Sequence, residues 1–307
     1  MTSQHTTWTL VTGASGFVGQ HLVAHLRAND VPVILVGRDG TRLTDMFGQG
    51  THLHCLSYQY DTAGHLDINS ILPAGDSLTC VIHLAGVAHQ KDAIQADYQS
   101  GIVDLSKSIF DGVAQWASQA KQHVAIMNLS SIAARDYAKS SRQHLVHYGQ
   151  AKEAVETDLT ARCGPYISAV SWRAPAIWAA NAPGPFRLIT AFINRGLPLP
   201  FASVKTKRAY ISVHNLVAQL HSAASSLTAA PTSKHDVIEV ADGLFGLGQI
   251  CKMLGQAHRK KARVWPMPAW ILKHGLTAVG KRDLVDQIFT PLTVSQTDLQ
   301  TLLNRDN

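Results

Sequence analysis

Tyr148 and Lys152 stand four residues apart in a chain of 307 residues. On a helix that spacing puts both side chains on one face. A phenol beside an ammonium is suited to proton transfer. An ordinary tyrosine, with a pKa of about 10, is too weakly acidic to exchange protons readily near neutral pH. A nearby cation stabilises the phenolate and lowers that value. The same ammonium can hold a ribose hydroxyl. Ser130 and Ser131 follow the apolar run His123 to Leu129. A hydroxyl at the end of a parallel strand can donate a hydrogen bond to a substrate oxygen. Together these groups fit hydride transfer at a carbonyl, where the developing alkoxide needs a proton.

A second constellation sits near the start of the chain, in Val11-Thr12-Gly13-Ala14-Ser15-Gly16-Phe17-Val18-Gly19. Glycines at 13, 16 and 19 allow a tight turn, close approach of the backbone to a pyrophosphate, and close helix–strand packing. The helix that follows offers unpaired N–H groups and a positive dipole end to the phosphates. The second strand should end at the adenosine ribose, and the sequence there is Val36-Gly37-Arg38-Asp39. An acidic residue would bind the 2′-hydroxyl of NAD, whereas an arginine matches the 2′-phosphate of NADP. Arg38 favours NADP(H), because its guanidinium fork fits a phosphate dianion. NAD(H) is the alternative, with Asp39 recognising the ribose and Arg38 merely exposed.

The elements that must position these groups are legible as short apolar runs alternating with amphipathic stretches. Strands are expected at Trp8 to Thr12, Val33 to Val36, His52 to Leu56, Cys80 to Leu84, His123 to Leu129 and Ser168 to Trp172. Helices are expected at Gly19 to Asn29, Ala96 to Gln119 and Tyr148 to Cys163. Such alternation implies right-handed crossovers and an α/β fold of Rossmann type, a doubly wound parallel sheet. After Arg173 prolines cluster at 175, 183, 185, 198 and 200, which suggests a smaller C-terminal substrate-binding lobe. The expected division is a dinucleotide-binding domain over 1–172 and a substrate lobe over 173–307, with a segment around 208–222 returning to the first domain.

Composition limits the function classes. Apolar residues make up 46% and charged residues 16%, enough to bury a sizeable core and to exclude wholesale disorder. The formal charge of +6 suits an anionic ligand. No nucleic-acid-binding motif accompanies it, and the basic run His258 to Arg263 reads as a solvated surface. Cys55, Cys80, Cys163 and Cys251 are far apart and form no C-x-x-C pair, so neither a disulfide framework nor a metal site is expected. The polar first residues lack a signal-peptide pattern, and no run reaches 18 uninterrupted apolar residues. A cytoplasmic protein without membrane insertion is expected.

Thr12 to Gly19, His83-Leu84-Ala85-Gly86, Leu129-Ser130-Ser131 and Tyr148-Gly149-Gln150-Ala151-Lys152 together resemble an extended short-chain dehydrogenase/reductase. The group resembled is the NAD-dependent epimerase/dehydratase family, which acts on nucleotide sugars. Trp172-Arg173-Ala174-Pro175, Arg195 to Pro200 and Arg208 to Asn215 resemble later blocks of that family. They look closest to bacterial 4-ketoreductases and 4-epimerases of surface-polysaccharide sugars.

The resemblance implies Ser131, rather than Ser130, as the catalytic hydroxyl beside Tyr148 and Lys152. It implies that Gly13, Ser15, Gly16, Phe17, Val18, Gly19, Arg38, Asp61, Leu84, Ala85, Gly86, Tyr148 and Lys152 hold the cofactor, with Asp61 against the adenine. Arg208 would meet the diphosphate of the sugar nucleotide, while Ser131 and Tyr148 touch the sugar. A homodimer is implied through the helices around 96–119 and 148–163. Departures occur at Ile102 and Pro185, where many members carry Asn, and at His214-Asn215, where an acidic residue is usual.

Among the chemistries of that family, dehydration needs an acidic pair after the active-site hydroxyl, and Ser131 is followed by Ile132-Ala133-Ala134. Reduction of a 4-keto sugar by NADPH is the expected activity. A 4-epimerase that retains NAD is the alternative, and a non-catalytic nucleotide-binding member is the second.

Overall fold

The computed structural model describes residues 5–87, 93–140, 142–278, 280 and 282–294. His89, which the sequence places shortly after the expected strand Cys80 to Leu84, lies outside the described residues, as does the segment from 295 on. The chain divides into two compact units. One comprises residues up to Ala174 together with Leu216–Glu239, and the other Pro175–Asn215 with Val240–Gln296.

The first unit begins β1 (Thr7–Thr12), α1 (Phe17–Ala28), β2 (Val33–Gly37), α2 (Gly40–Phe47), β3 (Leu53–Ser57), α3 (Ile68–Ile71) and β4 (Ser77–His83). It continues with α4 (Gln95–Tyr98), a π-helical stretch (Gln99–Asp104), α5 (Leu105–Ala120), β5 (Val124–Ser131), α6 (Ala133–Asp136), α7 (Gln143–Arg162) and β6 (Ile167–Ala174). The second unit opens with β7 (Ala176–Trp178), α8 (Pro185–Asn194) and β8 (Lys207–Ser212). Then α9 (Val213–Ala229) and β9 (His235–Glu239) lead through the first unit again. The second unit resumes with β10 (Gly243–Gly246), α10 (Leu247–Ala257), α11 (Ala269–Ala278) and α12 (Arg282–Phe289).

Seven strands form the first sheet in the order β3-β2-β1-β4-β5-β6-β9, and every neighbouring pair is parallel. This is a Rossmann-type sheet, with the order reversing between β1 and β4. Ligands of such sheets bind outside the carboxyl ends of the strands at that reversal. The six expected strands all form, and β9 adds a seventh. The second unit has its own three-stranded sheet, β10-β8-β7. It therefore takes β8, and the chain returns to the first unit at Leu216–Glu239, later than the expected 208–222.

Burial explains the elements. Leu10, Ile34, Val81 and Ile126 from the central strands pack with Ile109, Phe110 and Val113 of α5 and Leu159 of α7. A parallel sheet covered on its faces needs such near-continuous apolar strands. The expected single helix over 96–119 is instead α4, the π-helical stretch and α5. Widened turns of this kind are found mostly at functional sites, and Ile102 lies within this one. The second unit packs a separate core from Ile193, Leu199, Tyr210, Ile250, Cys251 and Leu254.

Candidate functional site

The glycine turn joins β1 to α1. Gly13 has φ +74°, and a Cβ there would lie 2.6 Å from the Leu84 and Ala85 backbone. The turn is thus seated on the segment after β4. A Cβ on Gly19 would lie 2.3 Å from the Gly13 carbonyl oxygen, so the helix rests directly on the turn. No side chain caps α1 at Gly16, and no acidic residue occupies its first turn. Its leading N–H groups and positive dipole end are therefore available to an anion. The cradle that a Cβ would fill, with an uncapped helix above it, fits a pyrophosphate. Ser15, Phe17 and Val18 line the same turn.

At the end of β2, Arg38 and Asp39 are exposed. Asp39 is the N-cap of α2, its carboxylate accepting from the Arg42 N–H at 3.0 Å. Arg38 lies close enough to Tyr58 to oppose the upward shift that burial gives that phenol. Arg42, exposed in the first turn of α2, was not anticipated from sequence; a basic residue four past Arg38 was the available signal. Asp61 holds a turn, accepting from the N–H groups of Ala63 and His65 at 2.9 Å each.

Gly86, with φ +154°, closes the segment after β4, and a Cβ there would lie 3.6 Å from Ile102 and 3.8 Å from the Lys152 ammonium. Ile102 is fully buried, so an apolar side chain stands beside that cation. Beneath runs a buried polar chain. Thr12 Oγ1 meets His83 Nδ1 at 2.8 Å, and His83 Nε2 meets Ser106 Oγ at 2.9 Å. Ser106 in turn donates to the Ile102 carbonyl at 2.5 Å. Burial, with the Lys152 charge adding, pushes His83 down to about 3, so it is a neutral tether of β1, β4 and the π-helical stretch.

The proton-transfer groups come together at the end of β5. Tyr148 and Lys152 lie on α7, as expected, and the Tyr148 hydroxyl is hydrogen-bonded to Ser131. Gly149 makes this approach possible, since a Cβ there would lie 2.4 Å from the Ala133 carbonyl oxygen. The Tyr148 ring meets Tyr98 edge-on at 5.9 Å. Lys152 is buried and donates to the Leu129 carbonyl at 2.8 Å.

Burial pushes the Tyr148 phenol up to about 12, opposed by the Ser131 hydrogen bond and assisted by Tyr98. Desolvation of the phenolate outweighs any lowering, so the group is a neutral acid at pH 7. Burial also pulls Lys152 down to about 8, with Glu156 opposing.

Glu156, one turn beyond Lys152, is the functional residue that sequence reading missed. Its carboxylate accepts from Ser130 at 2.5 Å and from Arg173 at 2.6 and 3.0 Å. That pair ties α7 to β5 and β6. Nearby, Arg135 donates to Glu239 at 2.5 Å and to Asp136 at 2.6 Å. Asp136, also held by Lys139, sits below its usual pKa, chiefly through the Arg135 hydrogen bond. It follows Ile132-Ala133-Ala134 as an ion-paired carboxylate.

Arg208 is in the second unit, on β8, where it donates to the Thr290 carbonyl oxygen. Pro185 opens α8 at its first turn, a position that suits the fixed φ of proline. Asn215 donates to Asp242 at 2.8 Å.

A family model described as the NAD dependent epimerase/dehydratase family matches residues 9–238. No curated protein sequence matches the chain. Solved structures share its fold at low identity. MoeE5 in complex with UDP-glucose and NAD is 19% identical, covering 97% of this chain and 99% of its own, with a TM-score of 0.57. UDP-glucose 4-epimerase from Thermotoga maritima is 18% identical, covering 96% and 91%, with a TM-score of 0.61. Human epimerase family protein SDR39U1 with NADPH is 16% identical, covering 96% and 93%, with a TM-score of 0.62.

Gly19→Ala tests the cradle. The added methyl collides with the turn backbone, so NADPH and NADH affinity should each fall about tenfold or more in a fluorescence titration, while the far-ultraviolet circular dichroism is retained. Unchanged affinity would mean that the turn does not carry the dinucleotide.

Proposed function

This chain belongs to the NAD-dependent epimerase/dehydratase family, and we propose that it reduces the 4-keto group of a UDP-linked sugar with NADPH, in the assembly of a bacterial surface polysaccharide. One observation carries the chemistry. Tyr148 is hydrogen-bonded to Ser131 and held protonated by burial. Reduction of a ketone needs a neutral acid to protonate the alkoxide as it forms. Oxidation of a sugar hydroxyl, the first step of a 4-epimerase, uses the same groups in reverse, so it is Arg38, exposed at the end of β2 and matched to the 2′-phosphate of a consumed NADPH, that favours reduction. The epimerase is therefore the second reading, and a binding protein without chemistry fits less well with an intact Ser131, Tyr148 and Lys152.

The dinucleotide, when bound, supplies the hydride. Gly13, Gly16, Gly19 and the α1 N-terminus would hold its pyrophosphate, Ala85 and Gly86 the wall beside it, and Lys152 the nicotinamide ribose. Ser131 donates to the sugar carbonyl oxygen and Tyr148 gives that oxygen its proton. Arg38 supports NADPH, because its guanidinium is exposed at the end of β2 and matches a phosphate dianion. Asp61 against the adenine and Arg208 at the sugar-nucleotide diphosphate complete the reading. Among the described residues no helix is long and apolar enough to cross a membrane. The same reading has the chain working in the cytoplasm as a homodimer through α5 and α7, whose outward residues include Lys107, Gln115 and Glu153.

Tyr148→Phe removes the acid. Turnover of a UDP-4-keto sugar should fall about a hundredfold or more, within the range general acids contribute, with NADPH binding little changed. Activity within about tenfold of the parent, or tightly retained NAD with no consumption of added NADPH, overturns the reductase reading.

Arg38→Ala should weaken NADPH by about tenfold or more relative to NADH; an equal effect on both would remove Arg38 from 2′-phosphate recognition.

Lys152 is charged below a pKa that burial lowers to about 8, so its ammonium is lost as pH rises through that value. The kcat/KM profile for NADPH should decline above about pH 8, and a profile flat to about pH 9.5 would contradict the role given to Lys152.

A further inference from the structure

The two units differ in charge far more than the total implies. The second unit carries thirteen Lys and Arg against three Asp and Glu, while the rest of the chain carries fourteen against eighteen. The formal charge of +6 is therefore ten positive charges in one unit offset by four negative charges elsewhere. Such an asymmetry concentrates the attraction for anions on one unit.

Part of it is concentrated beside exposed apolar side chains. Arg259, Lys260, Lys261 and Arg263 form a run after α10, and all four are exposed. Lys260 donates to the Asn194 carbonyl at 3.0 Å, the Leu199 N–H donates to the Arg263 carbonyl at 2.8 Å, and the Trp265 N–H donates to the Leu199 carbonyl at 3.0 Å. These bonds lay the run along the segment that leaves α8, where Phe192 and Leu197 are 43% and 42% exposed. Trp265 follows at 41%, and α11 opens with Trp270 and Ile271 at 66% and 40%. Single exposed apolar residues need no explanation, but Phe192, Leu197 and Trp265 gathered beside a basic run are the kind of cluster found at interaction surfaces.

We propose that this face of the second unit docks on an anionic lipid bilayer, with the basic run on the phosphate headgroups and Trp265, Trp270 and Ile271 in the headgroup–acyl boundary. Tryptophan has an apolar body and a polar N–H, which suits that boundary. Basic side chains are drawn to an anionic leaflet and add to the binding. Nucleic acid would engage the cations and leave Ile271, Leu197 and Phe192 in water. The mode is attachment to the surface, which needs no spanning helix. It is independent of the catalytic reading, since turnover of a water-soluble sugar nucleotide needs no vesicle.

The test is flotation of the full chain with phosphatidylcholine vesicles, with and without about one quarter phosphatidylglycerol. The protein should float at least about tenfold more with the anionic vesicles, lose that binding in high salt, and shift its tryptophan emission to the blue. Trp270→Ser and the double variant Arg259→Glu/Lys261→Glu should each reduce the bound fraction about fivefold or more with an unchanged melting curve. Equal partition to both vesicle types, absence of partition, parental binding by either variant, or binding of duplex DNA in place of vesicles would each overturn the proposal.

Discussion

A carboxylate and a guanidinium buried together cannot be separated cheaply, and the reacting geometry depends on one such pair. Glu156 on α7 is almost wholly enclosed, and Arg173 on β6 meets it with two nitrogens. Removing one partner of a buried pair leaves an uncompensated charge, at a cost of about 3–5 kcal/mol. The third contact, from Ser130, reaches the residue next to Ser131. One carboxylate therefore fixes the rotation of α7 about its axis relative to β5 and β6. Tyr148 and Lys152, two turns and one turn earlier on the same helix, are aimed by it. It also opposes the desolvation of Lys152, so the anion that orients the helix helps keep its ammonium charged.

What the sequence could reveal followed from what each signal depends on. The glycine turn and the central strands are local, since spacing and apolar runs carry them, and the structure has them where they were expected. β9 was not anticipated because His235-Asp236-Val237-Ile238-Glu239 is an edge strand with a polar start, which lacks the continuous apolar run of a central one. The division of the helix over 96–119 depends on how a widened turn accommodates Ile102 against Gly86, a contact between distant parts of the chain. Glu156 was passed over for a similar reason. A Glu four residues after a Lys on a helix normally reads as an exposed pair, and only the placement of Arg173 one strand away makes it a buried anchor.

The same limit explains Tyr148. Residue spacing predicts which groups are neighbours, but the pKa is a balance between neighbours and solvent. For Tyr148 the largest effect is desolvation of the phenolate, which no residue spacing displays. Lys152 cannot act at full strength, because its own burial lowers its pKa and its Nζ already donates to Leu129. Both shifts thus turn on burial, which pattern reading does not see.

Net charge has a comparable blind spot. A sum over 307 residues treats every charge as acting on one body, yet charges at the surface are screened beyond about 8 Å at physiological salt. A ligand or surface meets only the local excess. Here an overall +6 conceals a basic unit and a mildly acidic one. The glycine turn sits in the acidic unit, so an anion there would be drawn by local features such as the α1 N-terminus. The basic excess belongs to the other unit, where it stands beside exposed tryptophans. Spread evenly over the chain, the same charge would give neither unit a local excess of this size.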